Sequence, residues 1–321
     1  MDKFDKLIDL IDESNSVIIG VHSNPDGDTI GSALSLYYIL QKLGKDVDLY
    51  SYNSIPFNLK FLPESDKFSN KIRDINYDLL LIVDVGTFER VSDEFSSKVK
   101  YKNSAVIDHH VTVSDCCQLK YIDSTAASTG IILYKFIKLW KPELLDKNVA
   151  VALYTSIVTD TGSFGFANSS SEAFKIAGEL VDAGVKPSFV SQNVFSNQPL
   201  EKMKLLARVL STLTISPNGR WAYIIVTDEM LVSIGAKPDL VEGMINYPRS
   251  IDTVKIALQF KEIDENNYKV SLRSKGNIDI EVLCRELGGG GHKNAAACKI
   301  SGTLDDVIEL MTKKVDKILK R

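Results

Sequence analysis

Short β-branched runs alternate with helical patterns through the first half of the chain. Val17-Ile18-Ile19-Gly20-Val21 is apolar without alternation, which predicts a buried strand. A helix from about Thr29 to Leu43 follows and stops at Gly44, and Val47 to Tyr50 is a second strand. Leu79 to Val83 and Ala105 to Ile107 are two more, each ending in a carboxylate, Asp84 and Asp108. Strand and helix alternating at this spacing predict a mostly parallel sheet wrapped by helices. Ala126 to Leu139 and Val149 to Val158 read as further helices.

Between Gly184 and Pro199 the pattern loosens into Ser, Asn and Gln, which suggests a boundary. A helix from about Leu200 to Leu213 leads into a different texture. Trp221 to Thr227, Thr253 to Lys261 and Asn267 to Arg273 alternate as strands, punctuated by Pro217-Asn218-Gly219 and Glu265-Asn266-Asn267. The expected fold is therefore α/β: an N-terminal mostly parallel sheet flanked by helices (1–188), a helical linker (189–212), and a smaller α+β C-terminal domain (213–321). Internal repeats and low-complexity tracts are lacking.

The length of 321 residues fits two domains. With 44% hydrophobic and 25% charged residues, the chain is neither disordered nor fibrous. A formal net charge of −4 argues against a surface that coats long nucleic acid. Apolar runs fall far short of the ~20 residues that span a bilayer. The start, Met1-Asp2-Lys3-Phe4-Asp5, has no signal- or transit-peptide character. Cys116, Cys117, Cys284 and Cys298 lack the CxxC spacing of a zinc knuckle, so a cytoplasmic protein is expected.

The four histidines are the most informative residues. His22 follows the first strand in His22-Ser23-Asn24-Pro25-Asp26-Gly27-Asp28, and His109 and His110 follow another in Asp108-His109-His110. His292 ends the run Gly288 to Gly291. Ligands of open α/β sheets sit beyond the carboxyl ends of the strands. There His22, Asp26, Asp28, Asp84, Asp108, His109 and His110 could meet. So many carboxylates without Lys or Arg would repel one another, and divalent cations supply the missing charge. Two cations suit this set better than one, because a shared aspartate can bridge them. Mixed N/O donors without thiolate point to Mn²⁺ ahead of Mg²⁺, Co²⁺ or Fe²⁺. Asp160, before Thr161-Gly162 at a helix end, joins the same set. GxSxG and the Walker pattern are both absent, which disfavours a serine hydrolase and an ATPase.

His22-x-Asn24-Pro25-Asp26-Gly27-Asp28, the lone Asp84, Asp108-His109-His110 and Asp160 resemble, in order, the four motifs of the DHH phosphoesterase family. Ser271-Leu272-Arg273-Ser274-Lys275 and the glycine run with His292 resemble its DHH-associated C-terminal domain; one departure is Ala297, where glycine is usual. Length and arrangement look most like the bacterial nanoRNase and pAp-phosphatase type. The resemblance implies one cation on His22, Asp26 and Asp84 and another on Asp28, Asp84, His109 and Asp160. It also implies Asp108 orienting a histidine, and His110 near the phosphate as an electrophilic or acid partner. Arg273, Ser274, Gly289, Gly290, Gly291 and His292, with Arg90, would hold substrate, and the active site would lie in the cleft between the domains.

The implied activity is hydrolysis of short oligoribonucleotides (nanoRNA) or 3′-phosphoadenosine 5′-phosphate (pAp) by metal-activated water. Alternatives are a phosphodiesterase on the linear dinucleotide pApA, a pyrophosphatase, and a metal-dependent nucleotide sensor without turnover. Expected partners are short RNA, dinucleotides or pAp, and neither membrane nor long duplex nucleic acid; a homodimer is left open.

Overall fold

A computed structural model describes residues 4–110 and 117–320, so Cys116 lies outside the described residues, as does the side chain of His292. The chain forms two compact units, Met1–Asn197 and Gln198–Arg321.

The first unit opens with α1 (Asp5–Glu13), β1 (Ser16–Gly20), α2 (Gly27–Lys42) and β2 (Asp46–Tyr50). β3 (Phe68–Ser69), β4 (Asn76–Val83), α3 (Asp93–Lys98), β5 (Lys100–Asp108) and β6 (Leu119–Ile122) follow. Four helices complete it: α4 (Thr129–Trp140), α5 (Lys147–Asp160), α6 (Ser171–Asp182) and α7 (Pro187–Phe195). The strands pair in parallel in the order β3-β2-β1-β4-β5-β6. The sheet reads as unbroken apolar runs because both faces are covered. Val17, Ile19, Leu79 and Leu81 join the larger core with α2, α4 and α5, while Ile18, Leu80 and Ile82 pack on Phe95 of α3. The chain leaves β1 toward β2 on one side and β4 pairs on the other, so the crevice past β1 and β4 is the switch point of the sheet.

The second unit holds α8 (Leu200–Leu210), β7 (Thr214–Ile215), β8 (Trp221–Val226), α9 (Asp228–Ile234), α10 (Asn246–Ser250) and β9 (Ile256–Asp264). It continues with β10 (Asn267–Ser274), α11 (Glu281–Glu286), β11 (Gly290–His292), β12 (Ala295–Ser301) and α12 (Leu304–Leu319). Its sheet, ordered β11-β12-β10-β9-β8-β7, is antiparallel except between β8 and β9. Val307, Met311, Val315 and Leu319 recur every four residues on α12 and cover one face. α8 and α9 cover another part of the sheet at Ile224 and Val226.

The segment read as a linker, 189–212, is divided between the units. Val190 and Val194 of α7 join the core of the first. Leu205, Leu206 and Val209 of α8 join that of the second. The polar residues that suggested a boundary are mostly the exposed face of α7.

A candidate metal centre at the ends of three strands

Three parallel strands end at the same rim, and each releases a candidate ligand there. Past β1 the chain reaches His22, past β4 Asp84, and past β5 His109 and His110. Asp26 caps α2, accepting the Thr29 N–H at 3.0 Å, which sets Asp28 in the first turn. Asp160 is the last residue of α5. These side chains line one cavity of about 290 Å³ together with Ser23, Asn24 and Arg90, while Asp28 lies buried beneath it.

Three overlapping groups of donors occur among the described residues; besides Asp84 with His109 and His110, two carry the geometry. In one, His22 Nε2 lies 4.0 Å from Asp26 Oδ2 and 3.8 Å from Asp84 Oδ2. In the other, His109 Nε2 lies 3.6 Å from Asp28 Oδ2, 3.7 Å from Asp84 Oδ1 and 3.7 Å from Asp160 Oδ2. Asp84 thus turns one oxygen to each group. Donors at about 2.1 Å from one cation stand no more than about 4.2 Å apart, and all five distances satisfy that.

His109 and His110 are aimed by their Nδ1 atoms. His109 Nδ1 is 3.2 Å from the Ala126 carbonyl, which fixes the proton on Nδ1 and leaves the Nε2 lone pair toward the acids. Asp108, expected to orient a histidine, bonds His110: its Oδ1 accepts from His110 Nδ1 at 2.7 Å and from the His110 N–H at 3.0 Å. Asp108 Oδ2 is buried and has no hydrogen-bond partner among the described residues. That hydrogen bond raises the His110 pKa. Burial pushes Asp108 up, but the bonds and charge of His110 more than offset it and its pKa falls.

The other acids respond to crowding. Burial, then neighbouring carboxylates, hold Asp84 well above the ordinary range, and burial raises Asp28. Asp160 is pushed up to about 7 by burial first and Asp28 second, with His109 opposing. Burial lowers the pKa of His22, keeping its imidazole neutral. Two carboxylates 4 Å apart repel by about 4 kcal/mol at an effective dielectric of 20, so this cluster calls for compensating positive charge. Imidazole and carboxylate donors without a thiolate fit a hard or borderline divalent cation.

Hydroxyl groups missing from the sequence reading complete the site. Asp28 accepts from Ser156 Oγ at 2.5 Å, Ser32 Oγ at 3.1 Å, and the Thr129 and Gly130 N–H groups at 2.9 and 3.2 Å. Thr129 Oγ1 donates to Asp84 Oδ1 at 3.1 Å. Ser, Thr and Gly inside helices carry no spacing signal; they become relevant only where α2, α4 and α5 meet. Thr29 was the one such residue already adjacent to a motif.

The substrate residues expected in the second unit group on β10 and around β11. Arg273 is half-buried, with Nη1 donating to the Leu272 carbonyl at 2.9 Å; burial, then Arg249, lowers its pKa. Ser274 is buried, donating to the Ile278 carbonyl and accepting from Asn294 Nδ2, both at 2.7 Å. The glycine run is structured: Gly290 to His292 form the edge strand β11. A Cβ on Gly289 would stand 2.2 Å from the Ala297 carbonyl, so glycine is required there by close packing. Ala297 itself pairs regularly in β12, outside the left-handed region, so its side chain costs no backbone strain.

The chain is similar to known proteins along nearly its whole length. Residues 16–157 match the DHH family, N-terminal domain, and residues 221–321 match the DHHA1 domain. The chain is 31% identical to the bifunctional oligoribonuclease and PAP phosphatase NrnA of Thermus thermophilus, over 95% of this chain and 90% of that protein. It is 27% identical to the Bacillus subtilis protein of the same description, over 92% of both chains. Among solved structures, an exopolyphosphatase-related protein from Bacteroides fragilis superposes with a TM-score of 0.91 at 27% identity, covering 98% of this chain and 96% of that one. The chain belongs to the DHH family of phosphoesterases and carries a DHHA1 domain.

Proposed function

We propose that the chain is a two-cation phosphoesterase acting on short oligoribonucleotides and pAp. The observation that carries the reading is Asp84, whose Oδ2 faces His22 and whose Oδ1 faces His109, so that one carboxylate belongs to two donor groups. His22, Asp26 and Asp84 would hold one cation; Asp28, Asp84, His109 and Asp160 would hold the other, with Mn²⁺ the best match to the donors. Divalent cations supply Lewis acidity toward phosphate oxygens and make water more acidic.

The remaining roles follow from the residues themselves. Asp108 accepts from His110 Nδ1 and raises the His110 pKa, which favours the imidazolium; in that form Nε2 would carry a proton for the phosphate or the leaving oxygen. Arg90 lines the same cavity and offers a guanidinium fork to a phosphate. Asp28, saturated on Oδ1 by Ser156 and Ser32, keeps a fixed orientation while the site works. Arg273, Ser274, Gly289, Gly290, Gly291 and His292 are proposed as the substrate-holding group of the second unit.

The choice of substrate rests on the relatives described as oligoribonuclease and PAP phosphatase. The test is a product time course with Mn²⁺, and with EDTA as control, on 5′-labelled di- and trinucleotide RNA, a strand of some two dozen nucleotides, pAp and pApA. Rapid loss of the shortest RNAs and of pAp, with the long strand largely intact, is expected. Turnover confined to pApA would replace this reading with a dinucleotide phosphodiesterase. Nucleotide binding without any product would replace it with a sensor.

A further inference from the structure

The proposed mechanism leaves one buried polar group at the centre of the site unused. Thr29, in the first turn of α2, is fully buried. Its Oγ1 lies 2.5 Å from His22 Nε2, 2.5 Å from Asp84 Oδ2 and 3.0 Å from Asp26 Oδ1. His22, Asp26 and Asp84 are the three members of one candidate ligand group. The hydroxyl therefore converges on all of them, and on His22 and Asp84 it engages the same atoms that face each other across that group.

A donor atom uses a lone pair once. Asp84 Oδ2 keeps a second lone pair while it accepts the Thr29 proton, so there the hydroxyl takes one of two acceptor directions and crowds the cation's place. His22 Nε2 either donates to the hydroxyl or accepts from it. The distances also separate a competitor from a fellow ligand. Neighbouring donors on one cation, each about 2.1 Å away at right angles, stand about 3 Å apart. A separation of 2.5 Å is the length of a hydroxyl-to-carboxylate hydrogen bond.

We propose that the Thr29 hydroxyl competes with the cation for His22 Nε2 and Asp84 Oδ2, and so sets the cation concentration at which the His22–Asp26–Asp84 group fills. This rests on reading that group as a cation site. The cost of releasing the hydroxyl is the same for every cation, so it weakens all of them by one factor and leaves their order intact. An ion that binds imidazole well, such as Mn²⁺, still fills the group, whereas a weak binder such as Mg²⁺ falls below its threshold. The same hydroxyl satisfies two buried polar side chains when no cation is bound.

Removing it should therefore act in opposite directions on the two states. The full chain is stripped with chelator, and the parent, Thr29→Val, Thr29→Ala and Thr29→Ser are titrated with MnCl₂ and with MgCl₂ by calorimetry. Melting is followed with and without Mn²⁺. In Thr29→Val and Thr29→Ala, one class of sites should bind both ions about tenfold more tightly, the equivalent of one charge-assisted hydrogen bond. Both variants should melt lower without cation yet gain more from Mn²⁺, while Thr29→Ser behaves as the parent. Unchanged affinity in Val and Ala overturns the competition. Weaker affinity in both, restored by Ser, overturns it too, because the hydroxyl is then a ligand. Asp84→Asn separates this from the parent reading. If Asp84→Asn loses Mn²⁺ binding and the Thr29 variants bind as the parent does, only the role of Thr29 fails. If Asp84→Asn and the parent bind Mn²⁺ alike, the cation site itself fails and this proposal with it.

Discussion

Asp84 holds a left-handed backbone, φ 58°, a conformation that aspartate and asparagine enter more readily than other side chains. Burial first, and then the charges of Asp28, Asp26 and Asp108, hold its carboxyl well above the ordinary range. The ionised residue is therefore a burden on the cation-free fold and a resource once positive charge arrives. Asp84→Asn keeps the shape and the backbone preference but removes the charge. Cation-dependent turnover should fall at least about a hundredfold, while melting in EDTA occurs at the parent's temperature or above. A melting temperature several degrees lower would mean that the carboxylate supports the fold instead. Asp160 gives the pH dependence. Its folded-state pKa of about 7 lies above the ordinary 3.8. Folding thus favours the neutral carboxyl, and the cation-free fold loses this contribution as pH rises from about 4 to about 7. A cation held by Asp160 as proposed would displace that proton. Calorimetry in buffers of different ionisation enthalpy should show more protons released per Mn²⁺ at pH 6 than at pH 8. Equal release at both would remove Asp160 from the ligand set.

Helices α2, α4 and α5 meet at Ser156, and two glycines let them approach. A Cβ on Gly130 would stand 2.1 Å from Ser156 Oγ, and one on Gly31 would stand 2.3 Å from the Ala152 carbonyl. Ser156 in turn holds Asp28, so the helix contact and the ligand geometry are one feature. Gly31→Ala meets backbone and should cost about 1–3 kcal/mol in urea unfolding. Gly130→Ala meets a side chain that can rotate, so its main expected effect is weaker Mn²⁺ binding through a displaced Asp28. Unaltered stability in the first and unaltered affinity in the second would show that the contact is looser than this. What was legible at this scale follows the same physics. Strands buried on both faces announce themselves as apolar runs, and the acids and imidazoles of the motifs sit at their ends. The loosened stretch from Gly184 to Pro199 does contain the division between the units, at Asn197 and Gln198, but it also hides α7, whose only buried side chains are Val190 and Val194. Ser156 and Thr129 gain meaning only where helices far apart in sequence meet.

The division of the chain into Met1–Asn197 and Gln198–Arg321 changes what counts as a domain in an experiment. A C-terminal fragment cut at 213, as the periodicity alone suggests, would lack α8. It would thereby lose Leu205, Leu206 and Val209, which are packed against Ile224, Val226 and Leu231. Burying an aliphatic side chain contributes about 1.5–3 kcal/mol, so the three together approach the whole stability of a domain, about 5–15 kcal/mol. The fragment 198–321 should therefore unfold cooperatively, and 213–321 should melt far lower or not fold. The same reasoning applies upstream, where a fragment ending at 188 forfeits Val190 and Val194 from the first core while one ending at 197 retains them. Thermal melts of the four fragments, followed by circular dichroism, decide the matter. Equal melting of the long and short forms in both pairs would make α7 and α8 a true connector, and would return the boundary to where the hydrophobic pattern first put it.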